Sequence, residues 1–291
     1  MGFRHTVAHA LTASGTALHA GVTVTMTLMP APAGQGVVFV RADKGNKQIP
    51  ALYDHVAETR LGTVLEKDGV RVGVVEHLMA AVAGAGLDDL TVVLDGPEPP
   101  ILDGDALSYL TLIRQAGWKS QSMTREAIEV LKPISIRHKD AEASLSPNPC
   151  AAYEFEIDFP ASVIGRQAMS LEFTPARFAE VIAPARTFGF MRELDSLHAL
   201  NLAKGASLEN TLALDDKGLV NPGLQRFPDE FVRHKILDAI GDMALAGAPL
   251  LARFRGVRSG HATNNALLRA LFVDPSAFRR VPFPSDAAAV L

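Results

Sequence analysis

An α+β protein of two similar domains that arose by duplication, each a β-sheet layered with helices, is expected from the sequence. Two stretches support this, EHLMAAVAGAGLDDLTVVLDG (76–96) and RHKILDAIGDMALAGAPLLARFRG (233–256). Each runs from a histidine through an apolar helix to Ala-Gly and then into a strand, and a further helical pattern follows both. Duplicated helices of this kind are expected to pack face to face, with the active site between the domains.

The first half alternates strand and helix patterns. Residues 76–86 end in glycine and residues 104–117 are amphipathic, so both predict helices. We predict a first domain at residues 1–122 with a small insertion of short strands near 42–70, and a polar linker at 119–126. Alternating or uninterrupted apolar residues predict strands at 22–30, 36–41, 70–75 and 90–95.

The second half repeats this organisation over residues 127–273, and residues 274–291 have the pattern of a C-terminal tail. The predicted helix at 227–247 has a proline and two acids at its start and a glycine at its end, as helices prefer. Further helices are predicted at 174–182 and 261–272. The predicted strands are 128–137, 151–159, 168–173 and 250–256.

The composition excludes several classes of protein. The 291 residues are 48% apolar and 21% charged, which is typical of globular and not disordered chains. A net charge of −4 argues against a general nucleic-acid binder. Cys150 is the only cysteine, so an internal disulfide and a thiolate metal cluster are excluded. The sequence contains neither a secretion signal nor an integral membrane segment, and we expect a cytoplasmic protein.

The stretch FVRHKILDAIGD (231–242) carries the chemistry of the second half. His234 and Asp238 share one helix face and could grip one metal ion, while Asp242 continues the same stripe. The duplication makes His77 the natural third ligand, and Glu76 beside it would be a carboxylate near the bound water. The alternative is a stabilising surface pair, which is what a lone His-x-x-x-Asp on a helix usually represents.

Two other stretches offer candidate site residues. His261 in SGHATNN stands at a predicted helix start, either as a hydrogen-bonded cap neighbour or as a catalytic group. Thr187 and Phe188 lie in ARTFGF, where a buried strand threonine and a core phenylalanine are the alternative. No dinucleotide fingerprint, Walker loop, GxSxG elbow or HExxH motif is present.

Six motifs stand in a fixed order along the chain, namely LHAG (18–21), VEHLMAA (75–81), PEPPILDG (97–104), ARTFGFM (185–191), DEFVRHKILDAIGD (229–242) and SGHATNN (259–265). Taken together, these motifs resemble those of the UDP-3-O-acyl-N-acetylglucosamine deacetylase family, the zinc amidases of lipid A biosynthesis. The resemblance extends from about residue 3 to 272.

The resemblance implies a role for each matched residue. It implies that His77, His234 and Asp238 are the ligands of one catalytic zinc ion. It further implies Glu76 as the general base and His261 as the general acid. Asp242 would orient or charge that histidine, and Thr187 would help to hold the oxyanion. The implied substrate contacts are Lys235, Phe188, Phe159 as a nucleotide-stacking aromatic, and Leu18 and His19 of the LHAG motif.

Residues 191–211 look like the insertion that walls a tunnel for the acyl chain in this family. Leu194, Leu197, Leu200 and Leu202 suit that role, although they would equally suit packing. The chain departs from the family pattern at Thr16, Ala17, Ala20, Ala161 and Ala206, which puts loop conformation and acyl-chain preference in question.

The expected function is therefore zinc-dependent removal of the N-acetyl group from an acylated UDP-sugar by a monomeric enzyme. One alternative is an amidase of the same fold acting on a different acylated sugar nucleotide. The other is a non-catalytic binding module that kept the fold, against which the intact set of acid, base and ligand residues argues.

Overall fold

The computed structural model describes residues 2–160 and 163–283. Its strands are β1 Phe3–Val7, β2 Leu11–Thr16, β3 Thr23–Met29, β4 Val37–Arg41, β5 Lys47–Pro50, β6 Val56–Glu58, β7 Val64–Lys67, β8 Val70–Val72, β9 Leu90–Leu94, β10 Trp118–Thr124, β11 Glu126–Val130, β12 Ile134–His138, β13 Ala141–Pro147, β14 Ala152–Asp158, β15 Arg166–Glu172, β16 Phe188–Phe190, β17 Leu212–Leu214, β18 Leu250–Val257 and β19 Phe278–Pro282. Its helices are α1 Glu76–Gly84, α2 Leu107–Ala116, α3 Pro175–Arg177, α4 Leu194–Ala199, α5 Glu230–Ala244 and α6 His261–Val273, and α3 continues as a π-turn over Phe178–Ile182.

The two halves share one strand arrangement, which makes up the whole five-stranded sheet of the first half and five of the seven strands of the second. In the first half the strand order is β2-β3-β9-β4-β5, with β9 antiparallel to β3 and parallel to β4. In the second half β12-β13-β18-β14-β15 repeats that order, with β18 antiparallel to β13 and parallel to β14. The central strand follows α1 and precedes α2 in one half, and follows α5 and precedes α6 in the other. The prediction of an α+β fold made of two similar domains is confirmed.

Helices α1 and α5 form the main contact between the two halves. Every residue of α1 except Ala83 is buried, as expected for a helix that is apolar on nearly all sides. Helix α5 buries Val232, Ile236 and Ile240 in the core. The two backbones approach closely, since a Cβ built on Gly241 would lie 2.0 Å from the carbonyl oxygen of Glu76. This contact brings the start of α1 against the polar stripe of α5.

Two insertions carry short strands. A three-stranded sheet, β6-β7-β8, precedes α1, and a parallel pair, β16-β17, brackets α4 in the second half. In the described part of the chain, no helix is long and apolar enough to cross a membrane.

The structure corrects two predicted irregular segments. Most of the predicted linker at 119–126 belongs to β10, which pairs antiparallel with β1. The predicted tail at 274–291 contains β19, which pairs antiparallel with β11. Both strands are held by backbone pairing while their side chains are largely exposed, so their composition is polar and resembles a loop. Residues 284–291 of the predicted tail, and Ala161, lie outside the described residues.

Candidate active site

Two histidines and an aspartate from different halves converge at the α1–α5 contact. The side chains of His77, His234 and Asp238 are buried, and one ligand atom from each lies within 4.8 Å of the others. Asp238 Oδ1 is 3.6 Å from His77 Nε2 and 3.3 Å from His234 Nε2. The two imidazole rings meet edge to face with their centroids 4.9 Å apart. These distances allow all three side chains to share one ion.

The chemistry of this group fits a metal ion. Asp238 Oδ1 is buried and has no hydrogen-bond partner among the described residues, which is costly for a carboxylate unless something else binds it. His234 Nδ1 lies 3.1 Å from the carbonyl oxygen of Ala185, a contact that leaves Nε2 to face Asp238. Burial lowers the pKa of His234 to about 4, so its imidazole is neutral and able to act as a ligand. Two imidazoles and one carboxylate are a donor set that zinc accepts.

Neighbouring side chains keep the Asp238 carboxylate ionised. Burial acts to raise the pKa of Asp238, but His234 and Lys235 outweigh it and hold the pKa well below its usual range. Lys235 donates to Asp238 Oδ2 over 2.7 Å. The structure therefore places Lys235 against the Asp238 carboxylate, where its charge offsets that of Asp238.

Glu76 lies beside this group as the first residue of α1. Burial raises the pKa of Glu76, against the opposing influence of His261 and His77. Its Oε2 accepts a hydrogen bond from the backbone N–H of Thr63 over 2.9 Å, and its Oε1 lies 3.8 Å from His261 Nε2. A carboxylate with one oxygen fixed and a pKa moved toward neutrality is suited to accept a proton.

His261 is held by Asp242. Its Nδ1 lies 2.9 Å from Asp242 Oδ2, which also accepts from Asn264 Nδ2 over 2.8 Å. Asp242 Oδ1 accepts from the Thr63 hydroxyl over 2.6 Å. Burial acts to lower the pKa of His261, but the charges of Asp242 and Glu76 outweigh it and raise the pKa to about 9. The imidazole is therefore cationic at neutral pH.

An aromatic cluster adjoins this group. The Phe188 ring lies edge-on to His234 with centroids 6.1 Å apart, and it contacts Phe159 at 5.7 Å. Thr187 is half-buried, and its backbone N–H donates to the Gly104 carbonyl over 2.8 Å. Thr187 thus lies two residues beyond Ala185, whose carbonyl oxygen holds His234.

Leu18 and His19 lie on the loop after β2. Leu18 is buried with Val74 and Ile101. Both ring nitrogens of His19 contact backbone groups, with Nε2 2.9 Å from the Leu61 oxygen and Nδ1 accepting from the Ala203 N–H over 3.2 Å. His19 therefore joins three loops in this structure, and a direct substrate contact stays a prediction.

Thr63 and Asn264 are site residues that the sequence analysis missed. Asn264 belongs to SGHATNN, so its place one helical turn after His261 was an available signal. Thr63 lies in the first insertion, and nothing in the local sequence marks it.

A buried His-His-Asp group flanked by a carboxylate and a cationic imidazole, set between two α+β domains, defines a site of the metal-dependent hydrolase class. A family model described as UDP-3-O-acyl N-acetylglycosamine deacetylase matches residues 4–273. The chain belongs to this family.

Relatives with the name UDP-3-O-acyl-N-acetylglucosamine deacetylase align over nearly the whole chain. The protein of Myxococcus xanthus (strain DK1622) is 48% identical over 92% of this chain and 86% of its own length. That of Anaeromyxobacter sp. (strain Fw109-5) is 42% identical over 98% and 93%, respectively. That of Phenylobacterium zucineum (strain HLK1) is 43% identical over 98% and 99%.

Proposed function

We propose that this protein hydrolyses the N-acetyl group of UDP-3-O-(3-hydroxyacyl)-N-acetylglucosamine in a zinc-dependent reaction. The products are acetate and the free amine, and the step commits its substrate to lipid A biosynthesis. The observation that carries this proposal is the convergence of Glu76 and His77 from one half with His234, Asp238 and His261 from the other. The names of the relatives support the choice of substrate.

His77, His234 and Asp238 are the residues that would hold zinc. When bound, zinc supplies a Lewis acid that polarises the acetamide carbonyl and lowers the pKa of a coordinated water. Asp238 Oδ1, which is buried and has no hydrogen-bond partner within residues 2–160 and 163–283, supports this ligand set.

Glu76 acts as the general base. Its Oε2 is fixed by the Thr63 N–H, which leaves Oε1 on the side of His261 to take the proton of the attacking water. The raised pKa of Glu76 favours this transfer, because a more basic carboxylate binds the proton more strongly.

His261 acts as the general acid. An amine is a poor leaving group unless it is protonated, and a cationic imidazole beside Glu76 can give the proton to the departing nitrogen. Asp242 positions this imidazole through the 2.9 Å contact with Nδ1, so that Nε2 faces the reacting atoms.

The substrate contacts extend from this centre. Thr187 supplies a hydroxyl for the developing oxyanion, and Phe188 with Phe159 offers an aromatic surface to the nucleotide or sugar. Lys235 stays the proposed contact for an anionic substrate, although its ammonium group also donates to Asp238 Oδ2. The acyl chain lies along residues 191–211, where Leu194, Leu197, Leu200 and Leu202 all remain at least partly accessible instead of packing in the core.

We place the two domains at residues 1–122 and 127–273, since each range holds one copy of the repeated strand order, and β19 of the predicted tail adds a further strand to the second sheet. A monomer in the cytoplasm remains the prediction from the sequence.

Two measurements on the purified protein test the proposed function. The first is metal content by elemental analysis, where we expect one zinc per chain. The second is acetate release from the acylated UDP-sugar, with the same UDP-sugar lacking its 3-O-acyl chain as the matched control. We expect release from the acylated substrate to be much faster, to stop on treatment with a chelator and to return with zinc. Faster release from a different acylated sugar nucleotide would favour the related amidase, and release from neither would refute the proposal.

A further inference from the structure

Thr63 contacts two carboxylates of the proposed site, that of the general base Glu76 and that of Asp242, which positions the general acid. It lies between β6 and β7 and is 1% exposed. Its backbone N–H donates to Glu76 Oε2 over 2.9 Å, and its hydroxyl donates to Asp242 Oδ1 over 2.6 Å. Glu76 belongs to the first half of the chain and Asp242 to the second, so Thr63 spans the contact between the halves.

The backbone around Thr63 is fixed at the start of α1. Its carbonyl accepts from the Val75 N–H over 3.3 Å, so both of its backbone groups bond to residues 75 and 76. Gly62 has a φ of +153°, and a Cβ built on it would lie 3.0 Å from Glu76 Oε1. A side chain at position 62 would therefore crowd the carboxylate, and the glycine allows the Thr63 amide to approach it.

The hydroxyl of Thr63 has a single proton, and it donates this proton in the hydrogen bond to Asp242. The other oxygen of Asp242 accepts from His261 Nδ1 and Asn264 Nδ2. Both oxygens of the carboxylate are therefore held, and the plane of the carboxylate that aims His261 is fixed from two sides. Without the hydroxyl, Asp242 Oδ1 would lose its hydrogen-bond donor, and the carboxylate would be held through Oδ2 alone.

We propose that Thr63 is a positioning residue that couples the general base to the general acid. Its amide fixes Glu76 and its hydroxyl fixes Asp242, so that one residue sets the spacing between the carboxylate that takes a proton and the imidazole that gives one. This inference rests on the proposed function and adds to it a residue that does not touch the substrate.

The test compares Thr63→Val with Thr63→Ser in the zinc-loaded full chain. Valine keeps the shape and the backbone N–H but removes the hydroxyl, whereas serine restores it. We expect Thr63→Val to lower kcat about tenfold with KM and zinc content unchanged, because a hydrogen bond to a charged group is lost. Thr63→Ser should recover most of kcat. The matched control is Thr6→Val, since Thr6 is also buried and accepts a bond from the Ala31 N–H, away from the site.

A double-mutant comparison identifies the partner of the hydroxyl. In an Asp242→Asn background, Thr63→Val should lower kcat by clearly less than tenfold, since the coupling it removes is already weakened. The inference is overturned if Thr63→Val keeps the wild-type kcat, or if its loss is equally large in the Asp242→Asn background. It is also overturned if Thr63→Val loses zinc, or loses more thermal stability than Thr6→Val, and kcat falls only in proportion to that loss. Should Thr63→Val fail to fold, Thr63→Ala against Thr63→Ser gives the same comparison. A wild-type protein that releases no acetate would instead refute the proposed function.

Discussion

Helices α1 and α5 occupy equivalent positions in the two halves but contribute differently to the site. α1 places Glu76 and His77 there from its first turn, and the rest of the helix is apolar and buried. α5 carries a polar stripe of His234, Asp238 and Asp242 along most of its length. Neither helix carries all three residues of the proposed ligand set, so the candidate site forms only where the halves meet. The two halves therefore share one scaffold and contribute different residues to the candidate site.

The connections after the central strands differ in the same way. In the second half, β18 leads within a few residues to His261 at the start of α6. In the first half, the longer connection between β9 and α2 carries Asp103 and Asp105, which pair with Arg186 and Arg226 of the second half. Arg186 adjoins Thr187, so the first-half loop supports the segment that carries Thr187. The second-half loop instead leads to His261, the proposed general acid.

The largest expected effect comes from removing a ligand from either half. His77→Ala and His234→Ala should each lose zinc and reduce acetate release to background, because two protein ligands hold the ion far less well than three. Elemental analysis and acetate release measure both effects. His138→Ala, on the exposed end of β12, is the control that should retain both. A full zinc complement in His77→Ala with none in His234→Ala would mean that the second half binds the ion without the first.

Glu76→Gln should separate binding from turnover. The amide keeps the size of the side chain but cannot take a proton, so kcat should fall by about 10²- to 10⁴-fold while zinc content is retained. Glu172→Gln, on the exposed end of β15, is the matched control. A wild-type rate for Glu76→Gln would show that the first half contributes a metal ligand but no general base.

Asp242→Asn should change the pH dependence. In the proposed reaction His261 acts in its protonated form, so activity should be lost as the pH rises through its pKa of about 9. Burial lowers that pKa and Asp242 raises it, so without the aspartate charge the alkaline limb of kcat/KM should move to lower pH by at least about 1 unit. Rate profiles of both proteins from neutral to alkaline pH provide the measurement. An unmoved limb would show that Asp242 has no electrostatic effect on the acid.

Local spacing explains which parts of the site were predictable. His234, Asp238 and Asp242 follow one another at helical intervals, and His77 follows from the duplication. Thr63 was not predictable, since its partner Asp242 lies 179 positions away and a single threonine has no pattern. A contact of this kind depends on the tertiary structure alone.

The fold was predictable to a similar extent. The apolar residues of the repeated helix-strand units recur with a strong periodicity, so the central helices and strands of both halves were predictable from the sequence. The predicted strand at 128–137 is in fact β11 and β12, separated near Pro133, which has no N–H to donate to a ladder. The ribbon of β1 and β10 has mostly accessible side chains, and its register depends on pairing between distant segments. Such strands lack a sequence signal because they bury few side chains.

The smallest expected effect concerns the packing of the two helices. A Cβ at Gly241 of α5 would lie 2.0 Å from the Glu76 backbone, whereas a Cβ at Gly84 of α1 would lie 2.1 Å from the Phe178 ring. Gly241→Ala and Gly84→Ala should each lower the free energy of unfolding by about 1–3 kcal/mol, measured by chemical denaturation, because both overfill the core. Only Gly241→Ala should also lower kcat of the folded protein, since it displaces Glu76, while Gly84 lies at the other end of α1. Equal kcat losses in the two variants would mean that the close approach at Gly241 serves stability without setting the position of the base.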